Sequence, residues 1–135
     1  MGQRRRAREL ALQMLFQIDV TDVDSTVVFE QFWRSQEIED DVRAFSESLV
    51  NGVVDQRETL DEKISAVSER WKIDRMAVVD RNVLRMALYE LEHVADTPQA
   101  VVFDEAIEVA RRFGSEESAR FVNGVLDALR REMSR

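Results

Sequence analysis

Apolar side chains recur every three or four residues along most of this chain. Ala7, Leu10, Ala11, Met14, Leu15 and Ile18 form the first stripe, which predicts an amphipathic helix with one buried face. The stretch DVTDVDS, Asp19 to Ser25, then supplies turn and capping residues. Ser25 is placed to cap a shorter helix carrying Val28, Phe29, Phe32 and Trp33. Asp40 and Asp41 open a third helix along Val42, Phe45, Leu49 and Val53, and Leu60, Ile64, Val67 and Trp71 mark a fourth. Asn51-Gly52 has hairpin chemistry, but its flanks do not alternate with period two, so Gly52 reads as helix interior or a close-packing point.

Beyond Asp74, read as a cap, the apolar positions widen to Met76, Val79, Val83, Leu84, Ala87, Leu88 and Leu91. A face that broad predicts a central helix packed on two sides. Thr97-Pro98 breaks the pattern before a helix along Phe103, Ala106, Ile107, Ala110 and Phe113, with Gly114 suited to a left-handed closing position. Ser115 can cap a last helix, with Glu116 and Glu117 complementing its dipole and Ala119, Val122, Leu126, Leu129 and Met133 as its stripe. The prediction is an all-α bundle of about seven helices in one domain spanning residues 1–135.

Composition supports helices and removes most chemistry. Four Gly and one Pro in 135 residues are too few for a fold of many short strands and turns. There is no cysteine, hence no disulfide or thiolate metal site, and no apolar run long enough to span a bilayer. A cytoplasmic protein without membrane attachment is expected. The single histidine, His93, falls near a helix end and reads as solvated. No glycine-rich phosphate loop is present. Glu105 and Glu108 share a helix face, but no histidine accompanies them at metal-binding spacing, so they read as solvated charge. Trp33 and Trp71 both fall on buried stripes. These patterns predict neither enzyme nor cofactor.

The charge distribution changes the picture. Four of the 19 Lys and Arg lie within residues 1–8 and none of the 27 acids does, so that segment carries +4 and the rest of the chain −12. Arg4, Arg5, Arg6 and Arg8 stand where a helix N-terminus disfavours cations by about 0.3–1 kcal/mol each. Consecutive positions also diverge by about 100°, so one acidic face cannot serve them all. A phosphate-binding arm and a solvated, solubility-promoting tail fit this composition equally. Further along, Arg111 and Arg112 end one helix, and Arg120 opens the next beside Phe121. There Phe121 sits at the stripe boundary, suited either to stack on an unpaired base or to flank the core.

Four segments carry a resemblance. Arg4-Arg-Arg-Ala-Arg-Glu-Leu-Ala-Leu-Gln13, Asp80-Arg-Asn-Val-Leu-Arg-Met-Ala-Leu-Tyr-Glu90, Phe103-Asp-Glu-Ala-Ile-Glu-Val-Ala-Arg-Arg-Phe-Gly114 and Arg120-Phe-Val-Asn-Gly-Val-Leu-Asp127 resemble signatures of the NusB family of transcription antitermination proteins, in the family's order. The resemblance implies two packed helical subbundles and binding of single-stranded boxA RNA from ribosomal RNA transcripts. It implies a partner, NusE, which is also a small-subunit ribosomal protein, and loading onto an RNA polymerase antitermination complex. Arg4, Arg5, Arg6 and Arg8 map onto the family's RNA-contacting arginines, and Glu117 and Phe121 onto its RNA-binding region, beside Arg111, Arg112 and Arg120. Phe16 and Asp80 map onto the partner contact. Phe16 stands where tyrosine is common, so a hydroxyl hydrogen bond is lost there. A monomer and a homodimer both fit the resemblance. The alternative class is a protein-only helical adaptor or homodimer that binds no specific RNA.

Overall fold

The computed structural model describes residues 2–68 and 71–134. Within them lie α1 (Gly2–Thr21), α2 (Ser25–Arg34), α3 (Asp40–Val67), α4 (Val78–His93), α5 (Gln99–Phe113) and α6 (Glu116–Met133), with a single 3₁₀ turn at Ile73–Arg75 and no strand. The all-α expectation therefore holds, with six α-helices where about seven were read. The third and fourth stripes belong to one 28-residue helix, α3. Its buried residues continue from Val53 to Leu60, a spacing of seven that keeps the same phase across two turns of mostly exposed, mostly polar residues.

Local capping departs from expectation in three places. Asp24, one residue before Ser25, caps α2, its carboxylate accepting from the Thr26 backbone N–H at 2.9 Å. Asp74 lies in the 3₁₀ turn and caps nothing; α4 starts after Ala77 without a side-chain cap. Gly114 has φ −112°, so it is not left-handed. A Cβ there would lie 2.8 Å from the Ala110 carbonyl oxygen and from Ser118 Cβ, and close approach is what requires glycine. Ser115 does cap α6, accepting from the Ser118 N–H at 3.1 Å. The end of α1 is turned by Asp22 at φ 58°, a left-handed position that aspartate tolerates.

α1, α2 and α3 pack together as one subbundle and α4, α5 and α6 as another, joined chiefly by α4 against α1 and α3. As its broad apolar face predicts, α4 buries every residue from Asn82 to Leu88. Gly52 of α3 is the close-packing point: a methyl built there falls within the Tyr89 ring of α4. No helix among the described residues is long and apolar enough to cross a membrane.

Two charge clamps hold α1 antiparallel on α4. At one end Arg8 donates to both carboxylate oxygens of Glu90, at 2.8 and 2.6 Å, with side chains 5% and 2% exposed. At the other, the Asp19 carboxylate accepts from Arg81 at 2.7 and 2.9 Å, Asn82 at 2.8 Å and Arg85 at 3.1 Å. Arg85 also reaches Asp61 of α3, at 2.7 and 3.0 Å. Burial pushes the Asp19 carboxyl up, but the bonds from Arg81 and Asn82 and the charges of Arg81 and Arg85 outweigh it and hold it at about 2.

Because that carboxyl is depressed in the folded state, its stabilisation is present above the unfolded aspartate range and is lost as pH falls from about 4 to about 2. Asp19→Asn is expected to flatten the acid limb of stability in that window, measured by urea unfolding at stepped pH. Gly52→Ala is expected to lower stability by about 1–2 kcal/mol, overpacking against Tyr89 outweighing better helix propensity. Chemical denaturation, with a double-mutant cycle to Tyr89→Leu, checks the contact.

Candidate nucleic-acid interface

The arginines near the N-terminus occupy the first two turns of α1, so they form a helical surface instead of an arm. Arg4 lies over the Phe45 ring at 4.5 Å, pairs with Asp96 at 3.2 Å and donates to Thr97 at 3.0 Å. Arg5 donates to both oxygens of Glu105, at 3.0 and 2.7 Å. Arg6 is exposed and makes no ion pair or hydrogen bond with another described residue. Arg8 departs from the expected exposed set: it is 4% exposed and committed to Glu90. The 100° advance per residue separates them, turning Arg8 into the core while Arg6 stays outside.

Glu105 is likewise not the solvated acid expected. Its side chain is 14% exposed, bound to Arg5 and 3.6 Å from Arg8, and the Arg5 hydrogen bond holds its carboxyl below the usual glutamate range. Glu108 is the more exposed of the pair and bonds to Arg111.

Ion pairs extend this surface from α1 to α6. Arg112 at the end of α5 donates to Glu9 at 2.8 Å, and Glu9 lies one turn beyond Arg6. Neighbouring Arg111 donates to Glu116 in the first turn of α6 at 2.7 Å. Arg120, one turn after Glu116, is exposed and has no ion pair or hydrogen bond among the described residues. A ribbon of paired charge thus runs from Arg6 through Glu9, Arg112, Arg111 and Glu116 to Arg120, with unneutralised cations at its two ends.

Beside Arg120 a cleft of about 360 Å³ opens between the 3₁₀ turn, the start of α4 and the start of α6. Its lining comes from three elements: Glu117, Ser118 and Phe121 of α6, Trp71, Arg75 and Met76 in and beside the 3₁₀ turn, and Asp80 of α4. Trp71 was expected in the core and is instead 50% exposed, whereas Trp33 is buried as expected. The Trp71 stripe assignment fails because α3 ends at Val67 and Trp71 follows in the connecting segment. Asp80 is 8% exposed; its Oδ1 has no hydrogen-bond partner among the described residues, and burial raises its carboxyl above the usual aspartate range against a smaller opposing effect of the Ser118 hydroxyl.

Phe16 lies elsewhere on α1, 40% exposed, and Val20 one turn on is 59% exposed. This pair is an apolar patch on the surface of the first subbundle. His93 is exposed and stacks on Tyr89 with ring centroids 4.7 Å apart. No group of three or more histidine, cysteine or acidic side chains among the described residues could hold a metal ion.

Sequence reasoning singled out Glu117, Arg120, Phe121 and Asp80, and the structure brings them to one cleft or its edge. It did not single out Trp71 as exposed, nor Glu9 and Glu105 as arginine partners. Their signal was present only as pairs distant in sequence.

An all-helical scaffold that carries a charged ribbon and an aromatic cleft on its surface has the features of a binding protein. The chain belongs to the NusB family, whose model matches residues 5–131. It is 52% identical over 127 residues to the transcription antitermination protein NusB of Anaeromyxobacter dehalogenans, covering 93% of this chain and 89% of that protein. Among solved structures it resembles NusB from T. maritima, with a TM-score of 0.87 and 37% identity over 96% of this chain and 91% of that one. It also resembles a chain from a structure of the antitermination factors NusB and NusE with double-stranded RNA, at TM-score 0.87 and 28% identity, covering 96% of each chain.

Arg8→Ala is expected to destabilise the fold by about 3–5 kcal/mol, because it strands the buried Glu90 carboxylate. Arg5→Ala, at a partly exposed pair, is expected to change stability by no more than about 1 kcal/mol. Guanidinium unfolding of the two variants side by side distinguishes a scaffold arginine from a surface one.

Proposed function

We infer that this protein is a transcription antitermination factor that binds single-stranded boxA RNA of ribosomal RNA transcripts together with NusE. In this reading the complex is loaded onto RNA polymerase. The observation that carries it is the ribbon ending in Arg6 and Arg120, which delivers a strand to the cleft lined by Phe121. Guanidinium groups at its ends take phosphates, and an aromatic wall takes a base. Arg4, Arg5, Arg111 and Arg112 supply further phosphate contacts by exchanging an acidic partner for a phosphate. Arg8 contributes by fixing α1. The relative solved with NusE and RNA supports the assignment of partners.

NusE docks on the patch of Phe16 and Val20, where burying an exposed aromatic anchor supplies affinity. Asp80, which the resemblance also assigns to the partner, is buried in the cleft, so Phe16 is the anchor of that face. The acidic body suits a basic ribosomal protein and steers its approach. The whole of residues 1–135 acts as one RNA-binding domain.

For a single strand the log–log salt slope is about −0.7 per phosphate neutralised. Arg6→Ala with Arg120→Ala is therefore expected to reduce its magnitude by about 1.4 while leaving thermal stability unchanged. Filter binding of boxA RNA with NusE present, against scrambled and double-stranded competitors, measures this. An unchanged slope and affinity argue for the protein-only adaptor. Phe16→Glu is expected to abolish NusE binding in calorimetry with the helical content intact.

A further inference from the structure

We propose that the cleft between the 3₁₀ turn and α6 seats one unpaired nucleobase between Trp71 and Phe121, with Asp80 accepting from the base's amino edge. This rests on the RNA-binding reading above and extends it to a stacking residue and a base preference.

Trp71 is the first reason. Its indole is half exposed, and its own carbonyl accepts from the Ser68 hydroxyl at 2.9 Å, tying the segment to the end of α3. An exposed indole on a tethered segment, lining the same cleft as Phe121, is a stacking surface and not a core residue. The cleft volume of about 360 Å³ lies within the range of small-molecule pockets.

The polar groups choose what enters. Asp80 and Glu117 contribute carboxylates, Ser115 and Ser118 hydroxyls, and Arg75 is the cation among the lining residues. Two carboxylates disfavour a phosphate inside the cleft, so the backbone stays at the rim and the base goes in. Among the described residues Asp80 has no cationic partner, and its buried Oδ1 accepts no hydrogen bond. A modest opening of the cleft brings an N–H donor to that carboxylate. Adenine, cytosine and guanine each present an exocyclic amine. Uracil presents one N–H between two carbonyl oxygens, which the carboxylates repel. The cleft therefore favours an amino-bearing base over uracil.

The test uses the full-length protein with NusE and a boxA strand in which one nucleotide at a time is abasic. In wild type, one abasic position is expected to cost about tenfold in affinity; in Trp71→Ala that cost disappears because the affinity is already about tenfold lower. Trp71→Phe, which keeps a ring, retains most of the affinity. Replacing the base at that position by uracil weakens wild type, and Asp80→Asn, which can both donate and accept, loses the discrimination. RNA binding quenches tryptophan emission in wild type but not in Trp71→Phe, since Trp33 is buried with its Nε1–H bonded to Glu47 at 2.7 Å. Wild-type binding that is indifferent to Trp71→Ala, or quenching that survives Trp71→Phe, overturns the seat and leaves the RNA reading standing. Absence of any RNA binding by wild type overturns both.

Discussion

The antiparallel seating of α1 on α4 is the constraint on which the rest of this molecule depends. Apolar contact alone allows two helices to slide by a turn, because one stripe offers several nearly equivalent registers. Charges do not allow this. Arg8 meets Glu90 near the C-terminal end of α4, and Asp19 meets Arg81, Asn82 and Arg85 near its N-terminal end. A slip of either helix leaves buried charges without partners, at a cost of several kcal/mol. Arg85 carries the lock onward to Asp61, so α3 is fixed in the same register. With α1 placed, Arg4, Arg5 and Arg6 face their partners or solvent at one end, and Phe16 and Val20 emerge at the other.

The same pairing governs how a chain of net charge −8 handles a polyanion. Most of its candidate phosphate-binding arginines sit beside an acid: Arg4 with Asp96, Arg5 with Glu105, Arg111 with Glu116, Arg112 with Glu9. The middle of the ribbon is locally close to neutral, so its pull on a polyanion is concentrated at Arg6 and Arg120. A phosphate that displaces an acid gains little net charge interaction, so position counts for more than attraction. Such a surface suits a factor that holds a particular strand with a partner and leaves the bulk of cellular RNA alone.

The helices were largely legible in the sequence because each stripe keeps its period over several turns. The heptad-like step from Val53 to Leu60 hid the continuity of α3, since polar residues between them looked like a boundary. Glu117 and Phe121 could be placed on α6 from local spacing and a serine cap. Arg8 could not be separated from Arg4, Arg5 and Arg6, because its fate is decided by Glu90, far along the chain. Asp19 read as a turn residue for the same reason: three of its partners lie in α4. Trp71 misled in the opposite direction, since an apolar side chain four residues past Val67 continues the period of a helix that has already ended. Local chemistry, then, was readable from the chain, whereas the pairing of charges required the packed helices.

The unbroken course of α3 has a mechanical meaning. At about 1.5 Å per residue its 28 residues make a rod roughly 42 Å along its axis. Near its start, Glu39 accepts from Gln3 and Phe45 lies under Arg4; at its end, Ser68 grips the Trp71 backbone. One rod thus connects the neighbourhood of the first arginines to the aromatic wall of the cleft, and its length acts as a ruler. Adding or removing a single residue within it would rotate everything downstream by about 100° and move it by about 1.5 Å. On the RNA-binding reading proposed above, the span from Arg4 to the cleft is consequently set by the residue count of α3 as much as by the side chains at its two ends.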